Sequence, residues 1–381
     1  MKNLIPFSSH PIINKDLKYA SLAIKSSHTF GDGPYSKKSE KLLKKILNTS
    51  GKILLTTSCT HALEIAALLT NLRPGDEVIV PSYTFVSSAL AFYMHGAKII
   101  FADIRQDTLN IDEKKIENLI TKKTKAIIVV HYAGVSCEMN KIMKIAKKNY
   151  LYVIEDNAHG LFGKYYNKEL GTIGHMSAFS FHQTKNLSCG EGGALLLNKS
   201  NLIERAQIIR EKGTNRYQFL KGSVNKYRWI DKGSSYVLSD ILAGILFNQL
   251  KNSKKIQSKR KKLWNIYHEN LSSWCKINRV LQPKIPAHCK HPYHMYYLLF
   301  PNFILRKKFI NHLSKLNIKV SSHYEPLHSS PFAKKINTFM NDTCPIATNV
   351  SQRIVRLPFF YNITKQQYSR VIDKVTEFSC V

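Results

Sequence analysis

Between residues 52 and 198 the chain alternates short β-branched runs with stretches of helical periodicity, and this alternation leaves few folds open. The runs at 52–57, 77–81, 98–102, 126–131, 151–155, 177–181 and 194–197 read as strands, with helical patterns at 61–70, 87–95, 112–120 and 139–148 between them. In the last of these, Met139, Ile142, Met143, Ile145 and Ala146 recur at helical spacing. Strands alternating with helices imply an α/β fold with a doubly wound, mostly parallel sheet of seven strands. Beyond residue 200 the pattern turns helical at 202–211 and 238–266. It then reads as strands at 294–300 and 318–323 around a helix at 307–315. A chain of 381 residues can bury a large core. We expect a large domain over residues 1–254 and a smaller α+β domain over 255–381.

Charge narrows the partners. Lysine and arginine number 57 against 25 acidic residues, a net charge of +32. The lysines fall in many small clusters, such as Lys37-Lys38, Lys114-Lys115 and Lys254-Lys255, mostly on polar helix faces. A solvated basic surface accounts for this better than a nucleic-acid footprint, which would gather charge into one stripe or tail. Such a surface also draws in anionic substrates. There is no apolar run of about 18 residues, and the N-terminus lacks the apolar core of a secretory signal, so a cytoplasmic protein without a membrane partner is expected. The seven cysteines are scattered and never spaced as CxxC, which reads as reduced thiols. The nearest approach to a metal motif, His291-Pro292-Tyr293-His294, reads as aromatic-flanked histidines on a strand, and no metal is expected.

Ligands of open α/β sheets gather beyond the carboxyl ends of the strands, so the residues just after each run carry the chemistry. The densest segment is Ala178-Phe179-Ser180-Phe181-His182-Gln183-Thr184-Lys185-Asn186, followed by Gly190-Glu191-Gly192-Gly193. The Ser180 hydroxyl can hold a phosphate oxygen while the Lys185 amine, made nucleophilic by desolvation, reaches an aldehyde on the same compact ligand. In Val153-Ile154-Glu155-Asp156-Asn157-Ala158-His159 an acidic pair stands where an apolar strand enters a loop, and Asp156 suits pairing with a protonated ring nitrogen. In Thr57-Ser58-Cys59-Thr60-His61, helix-start N–H groups and the hydroxyls of Ser58 and Thr60 can bind phosphate. Phe85, in Pro81-Ser82-Tyr83-Thr84-Phe85, can lie on a flat ring. Each feature has an ordinary alternative when read singly: a surface lysine, a capping acid, a plain N-cap, a core aromatic.

Taken in this order, the four segments resemble the fold-type I enzymes of pyridoxal 5'-phosphate (PLP), and within them the DegT/DnrJ/EryC1/StrS sugar aminotransferases. Supporting stretches are Gly31-Asp32-Gly33-Pro34, Gly96-Ala97-Lys98, Asp103, His131-Tyr132-Ala133-Gly134, residues 210–216 and Pro358-Phe359-Phe360-Tyr361-Asn362. The resemblance implies that Lys185 carries PLP as a Schiff base and that Asp156 meets the pyridine nitrogen. It places His159 at the phenolic oxygen, Phe85 on the ring, and Ser180 with the Cys59-Thr60 turn on the phosphate. Two positions depart from the pattern. Cys59 stands where many members have Gly, and Ser235, matched to a residue that reaches the phosphate of the neighbouring subunit, stands where many have Asn. A homodimer is thereby implied.

Within the family, residues 82–87, 180–182 with 184–186, and 209–216 are most similar to the branch that aminates dTDP-4-dehydro-6-deoxy-D-glucose at C4 in enterobacterial common antigen synthesis. The implied substrates are that dTDP-keto-sugar and L-glutamate, and the implied product is dTDP-4-amino-4,6-dideoxy-D-galactose. Lys212 and Arg216 are the candidates for the pyrophosphate, and His323 with Tyr324 for orienting the sugar. Amination at C3 stays open as an alternative. A sugar dehydratase of the family resembles this chain less, because there His replaces the Schiff-base lysine.

Overall fold

The computed structural model describes residues 4–9, 13, 15–336 and 344–380. Seven strands, β1 (Lys52–Thr56), β2 (Glu77–Pro81), β3 (Lys98–Ala102), β4 (Thr124–Val130), β5 (Tyr152–Asp156), β6 (Met176–Ser180) and β7 (Gly193–Leu197), form one sheet in the order β1-β7-β6-β5-β4-β2-β3. β7 runs antiparallel to both β1 and β6, and every other pairing is parallel. All seven expected strands are present, with ends shifted by two residues at most.

Helices cover both faces of the sheet, which explains why its strands read as nearly continuous apolar runs. Side chains sort by the period of two. Val78, Val80, Ile128 and Ile154 pack on one side with Leu63, Ala66 and Ala67 of the helix Cys59–Leu69. Ile79, Ile127, Val129 and Val153 pack on the other with Met139, Ile142 and Ala146 of the helix Met139–Lys148.

Three helical expectations change in detail. The helix expected from 61 starts at Cys59, capped by Ser58. The pattern at 112–120 divides into an α-turn Glu113–Ile116 and a 3-10 turn Glu117–Leu119. The long stretch at 238–266 is two helices, Asp240–Lys251 and Ser253–Asn270, separated at Asn252. There the Asn252 amide donates to the Asn248 carbonyl at 2.8 Å, a side chain competing with the helix's own ladder. The break expected between 254 and 255 falls in the first turn of Ser253–Asn270.

In the C-terminal part, β8 (Tyr297–Leu299) pairs antiparallel with β9 (Ile354–Arg356), a shorter first strand than the one expected at 294–300. Tyr267, Leu298, Phe300, Phe309, Val355 and Val371 share one core there, joined by Ile5 from the start of the chain. The strand expected at 318–323 does not form. Ile318 bridges to Ile5 and Ser321 to Arg356, two different neighbours, so no continuous ladder develops. Among the described residues no helix is long and apolar enough to cross a membrane.

One acid ties this part to the sheet. The Asp103 carboxylate, just beyond β3, accepts the N–H groups of Ile346 (3.2 Å) and Ala347 (2.9 Å) and pairs with Lys115 at 3.1 Å. These N–H groups open the helix Pro345–Arg353, which leads directly into β9. Asp103 thus sets where β9 and its last residue, Arg356, lie.

Gly193 opens β7 against the Ser58-Cys59 turn. A Cβ at this position would lie 2.3 Å from the Ser58 carbonyl carbon and 2.5 Å from the Cys59 nitrogen, both backbone atoms that cannot swing aside. Gly193→Ala should therefore displace the turn and destabilise the protein by about 1–3 kcal/mol. Urea unfolding of the variant beside wild type checks this, and an unchanged midpoint would show that the turn yields freely.

Candidate active site

The two acids at the end of β5 point to opposite faces of the sheet, as consecutive strand residues must. Glu155 is consumed by structure: it accepts His131 Nε2–H at 2.9 Å and the backbone N–H groups of Gly171, Ile173 and Gly174. His131 Nδ1 accepts the Cys137 N–H, which leaves its ring proton on Nε2 for Glu155. Asp156 turns the other way, into a cavity of about 880 Å³. Its Oδ2 accepts the Ser88 hydroxyl at 2.6 Å and its Oδ1 the Ala158 N–H at 3.1 Å. Ser88 is paired in turn with the Thr84 hydroxyl at 2.8 Å.

Lys185 reaches the same cavity from the loop after β6. Its N–H donates to the His182 carbonyl at 2.9 Å, and the next residue, Asn186, is buried with its amide on Pro292 O and its Oδ1 on His294 Nδ1, both at 2.8 Å. The lysine is therefore held by a turn before it and an anchor after it. Burial pushes its amine below the ordinary lysine range, with Arg356 adding to the effect and Asp156 opposing it.

A row of hydroxyl and N–H groups lies along the cavity wall. Ser180 ends β6, and its hydroxyl accepts only a long bond from the His182 N–H at 3.4 Å. Opposite are Ser58, Cys59 and Thr60 at the start of Cys59–Leu69, where helix geometry leaves the first N–H groups unpaired. The Ser58 hydroxyl accepts the His61 N–H at 3.1 Å, so it serves as the helix cap, the plainer of its two readings. Thr60 shares a 2.8 Å hydroxyl bond with Ser87. Burial holds the Cys59 thiol well above its ordinary pKa, so it is neutral.

The remaining wall is aromatic. Phe85 lines the cavity and is 56% exposed, which leaves its ring open to a flat ligand. His159 is buried, stacks on His294 at 4.2 Å, and has its Nε2 3.4 Å from the Tyr324 hydroxyl. Its Nδ1 is enclosed without a partner. Burial, then the charges of Lys185 and Arg356, hold His159 well below the ordinary histidine range, as a neutral ring. His323 is kept neutral in the same way, with Nδ1 2.8 Å from the Tyr132 hydroxyl, and its carbonyl accepts the Tyr83 hydroxyl.

Three expected residues lie outside this cavity. Ser235 is exposed on a bridge to Glu211. Lys212 and Arg216 pair with that same Glu211, at 3.8 and 3.3 Å. Residues 211–216 and 233–236 fold onto one another, which satisfies their charges locally instead of turning them toward Lys185.

Several residues the sequence reading passed over do join the site: Ser88 beneath Asp156, Asn186 and His294 behind Lys185, and Arg356 at the end of β9. A signal existed for the last, since Arg356 is a lone charge inside Ile354-Val355-Arg356-Leu357-Pro358-Phe359-Phe360.

These groups fit PLP. Asp156 could meet the pyridine nitrogen, the His159 imidazole, whose Nδ1 has no partner, the phenolic oxygen, and Phe85 a ring face. Ser180 and the Cys59-Thr60 N–H groups could meet the phosphate, and Lys185 the aldehyde. Fold and site together define a fold-type I PLP enzyme.

Comparison with known proteins carries this further. Residues 11–376 match the family model described as the DegT/DnrJ/EryC1/StrS aminotransferase family, and the chain belongs to that family. An uncharacterized protein of Methanocaldococcus jannaschii is 37% identical over 90% of this chain and 89% of its own length. GDP-perosamine synthase of Escherichia coli O157:H7 is 30% identical over 98% of each chain. Among solved structures, Helicobacter pylori PseC, an aminotransferase involved in the biosynthesis of pseudoaminic acid, superposes with a TM-score of 0.88 at 27% identity, covering 98% of both chains. The protein is a PLP-dependent sugar aminotransferase.

Ser88→Ala should loosen Asp156 and weaken cofactor binding about tenfold or more, because a hydrogen bond to a charged group contributes about 1.5–3 kcal/mol. Titrating PLP into cofactor-free protein, with absorption as the readout, measures this. Equal affinity in variant and wild type would remove Ser88 from the site.

Proposed function

We propose that this aminotransferase moves an amino group from L-glutamate to C4 of dTDP-4-dehydro-6-deoxy-D-glucose, giving dTDP-4-amino-4,6-dideoxy-D-galactose. The observation that carries the reading is the meeting of the Lys185 amine and the Asp156 carboxylate in one cavity. The resemblance read from residues 82–87, 180–182 with 184–186, and 209–216 to the C4-aminating branch is what favours this sugar. A net charge of +32 favours a substrate bearing a pyrophosphate.

Bound PLP supplies an electron sink that accepts the donor's amino group and later delivers it to the keto carbon. The chain's own groups do the rest. Lys185, its amine pushed toward the neutral form, takes a proton from the donor's α-carbon and returns one to C4 of the sugar from the face it occupies. Asp156, fixed by Ser88 and the Ala158 N–H, keeps the ring nitrogen protonated. His159, held neutral, gives a hydrogen bond without adding a charge. His323 and Tyr324 border the space for the sugar.

Incubating the enzyme with the keto sugar nucleotide and glutamate, and assigning the product by NMR, tests the proposal. Amination at C3, or at C4 with the gluco configuration, would overturn it. Lys185→Ala should lower turnover by several orders of magnitude while keeping the fold, and borohydride should trap PLP on the Lys185 peptide in wild type. A trapped peptide containing a different lysine would contradict the assignment.

We infer further that the active unit is a homodimer, in which Ser235, Lys212 and Arg216 serve the pocket of the other protomer. Their position outside this chain's cavity, with Ser235 and Lys212 exposed and Arg216 partly so, supports the inference. So does the apolar surface around them, where Trp229 is 81% exposed beside Tyr227, Ile230, Phe219 and Leu220. Arg216→Gln should raise the KM for the sugar nucleotide far more than that for glutamate. Mixed dimers of Lys185→Ala and Arg216→Gln protomers should regain activity, because one of their two pockets carries neither change. No recovery on mixing would place each site within a single chain.

A further inference from the structure

We propose that a second pocket, separate from the Lys185 cavity, binds a diphosphate group through four converging lysines.

The pocket lies where the start of the helix Asp16–Lys25, the break at Asn252 and the segment Tyr361-Asn362 meet. Its volume is about 450 Å³, and it shares no lining residue with the larger cavity. Lys15, Lys251, Lys255 and Lys259 all line it. Lys255 and Lys259 stand four positions apart on Ser253–Asn270, hence on one face of that helix. Lys251 ends Asp240–Lys251, and its ammonium donates to the Tyr19 hydroxyl at 3.3 Å. Lys15 precedes Asp16–Lys25 at φ 80°, a left-handed conformation that glycine or asparagine adopts at lower cost.

Many lysines of this basic chain point singly into solvent, but these four face one hollow. No acid lines it, and among the described residues none of the four is ion-paired. Lysines elsewhere do meet acids, as Lys115 meets Asp103, Lys141 meets Glu113 and Lys164 meets Glu169. The acid next to Lys15 in sequence, Asp16, is buried and already engaged. It accepts the Ile13 N–H at 2.9 Å and the side-chain amides of Asn248 and Gln249 at 2.7 and 2.9 Å. It thereby fixes Ile13 and Asn248 in the pocket wall without lining the pocket itself. Like charges around one hollow repel one another, and a multivalent anion turns that repulsion into attraction.

The lining selects the anion. A singly charged ion cannot answer four ammonium groups, whereas a diphosphate presents several charged oxygens in a compact body. The Lys259 ammonium lies 4.3 Å from the centre of the Tyr361 ring, and that of Lys251 lies 5.8 Å from the Tyr19 ring. Cations thus already occupy a face of each ring, so the pocket reads the diphosphate and not a nucleobase. A bound diphosphate would tie together the two helices on either side of Asn252, and its binding should stabilise the fold.

The test titrates PLP-loaded protein calorimetrically with sodium pyrophosphate, a nucleoside diphosphate, inorganic phosphate and sulfate at matched ionic strength. It compares wild type with Lys255→Gln/Lys259→Gln and with Lys122→Gln/Lys123→Gln, an adjacent exposed pair outside both pockets. Wild type should bind pyrophosphate at least about tenfold more tightly than phosphate or sulfate. Lys255→Gln/Lys259→Gln should bind pyrophosphate on the order of 100-fold more weakly, roughly tenfold for each charge-assisted bond lost. The binding that this variant loses should be equal for pyrophosphate and the nucleoside diphosphate. Pyrophosphate should raise the thermal midpoint of wild type and of the comparison pair, but not that of the pocket variant. The pocket variant should keep the wild-type kcat and both KM values, since neither lysine lines the Lys185 cavity.

No pyrophosphate binding to wild type, or undiminished binding in the pocket variant, would overturn the proposal. In the second case, competition with the sugar nucleotide would place the anion in the Lys185 cavity instead. Equal weakening in the comparison pair would reduce the effect to general attraction by a basic surface. Phosphate or sulfate held as tightly as pyrophosphate would overturn the diphosphate class, and a much tighter nucleoside diphosphate would show that the pocket reads a base.

Discussion

The site depends on the alternation of side chains at the end of β5. Glu155 and Asp156 are adjacent acids that the pleat sends to opposite faces. Glu155 gathers His131 and three backbone N–H groups from residues 171–174, the loop that feeds β6. β6 ends at Ser180, and Lys185 follows five residues later. The buried acid that never meets the ligand thus fixes the strand that presents the lysine, and its neighbour enters the cavity. A register slip of one residue in β5 would exchange their roles and destroy both.

Closure from the other side has a similar logic. Asp103 beyond β3 receives the first N–H groups of Pro345–Arg353, and β9 continues from that helix to Arg356. His323 and Tyr324 come from the adjoining segment, where the Tyr83 hydroxyl holds the His323 carbonyl. The cavity is therefore a joint product of the sheet's carboxyl edge and the C-terminal part, tied by hydrogen bonds from residues just beyond strand ends.

Electrostatics inside the cavity favours neutral bases and bound anions. Burial holds His159, His294 and His323 far below the ordinary histidine range, and Arg356 reinforces all three. The same two influences lower Lys185. A lysine that must accept a proton gains from such surroundings, whereas one paired tightly with a carboxylate would not. The cation that helps tune it has no carboxylate partner among the described residues.

Much of this was legible in the sequence. The seven strands and the carboxyl-edge residues Lys185, Asp156, Ser180 and Phe85 follow from periodicity and from chemistry placed after apolar runs, both local properties of the chain, while His159 was implied by the family resemblance. Tertiary structure decided what local pattern leaves open. It spent the Ser58 hydroxyl on a helix cap, put Ser88 beneath Asp156 across 68 positions, and set His294 against Asn186 across 108. It denied residues 318–323 a strand by giving them two separate neighbours. It left Ser235, Lys212 and Arg216 outside the cavity of their own chain. Contacts between residues so far apart depend on how helices and strands pack, and a guanidinium such as that of Arg356 shows its lack of a partner only once every neighbour is in place.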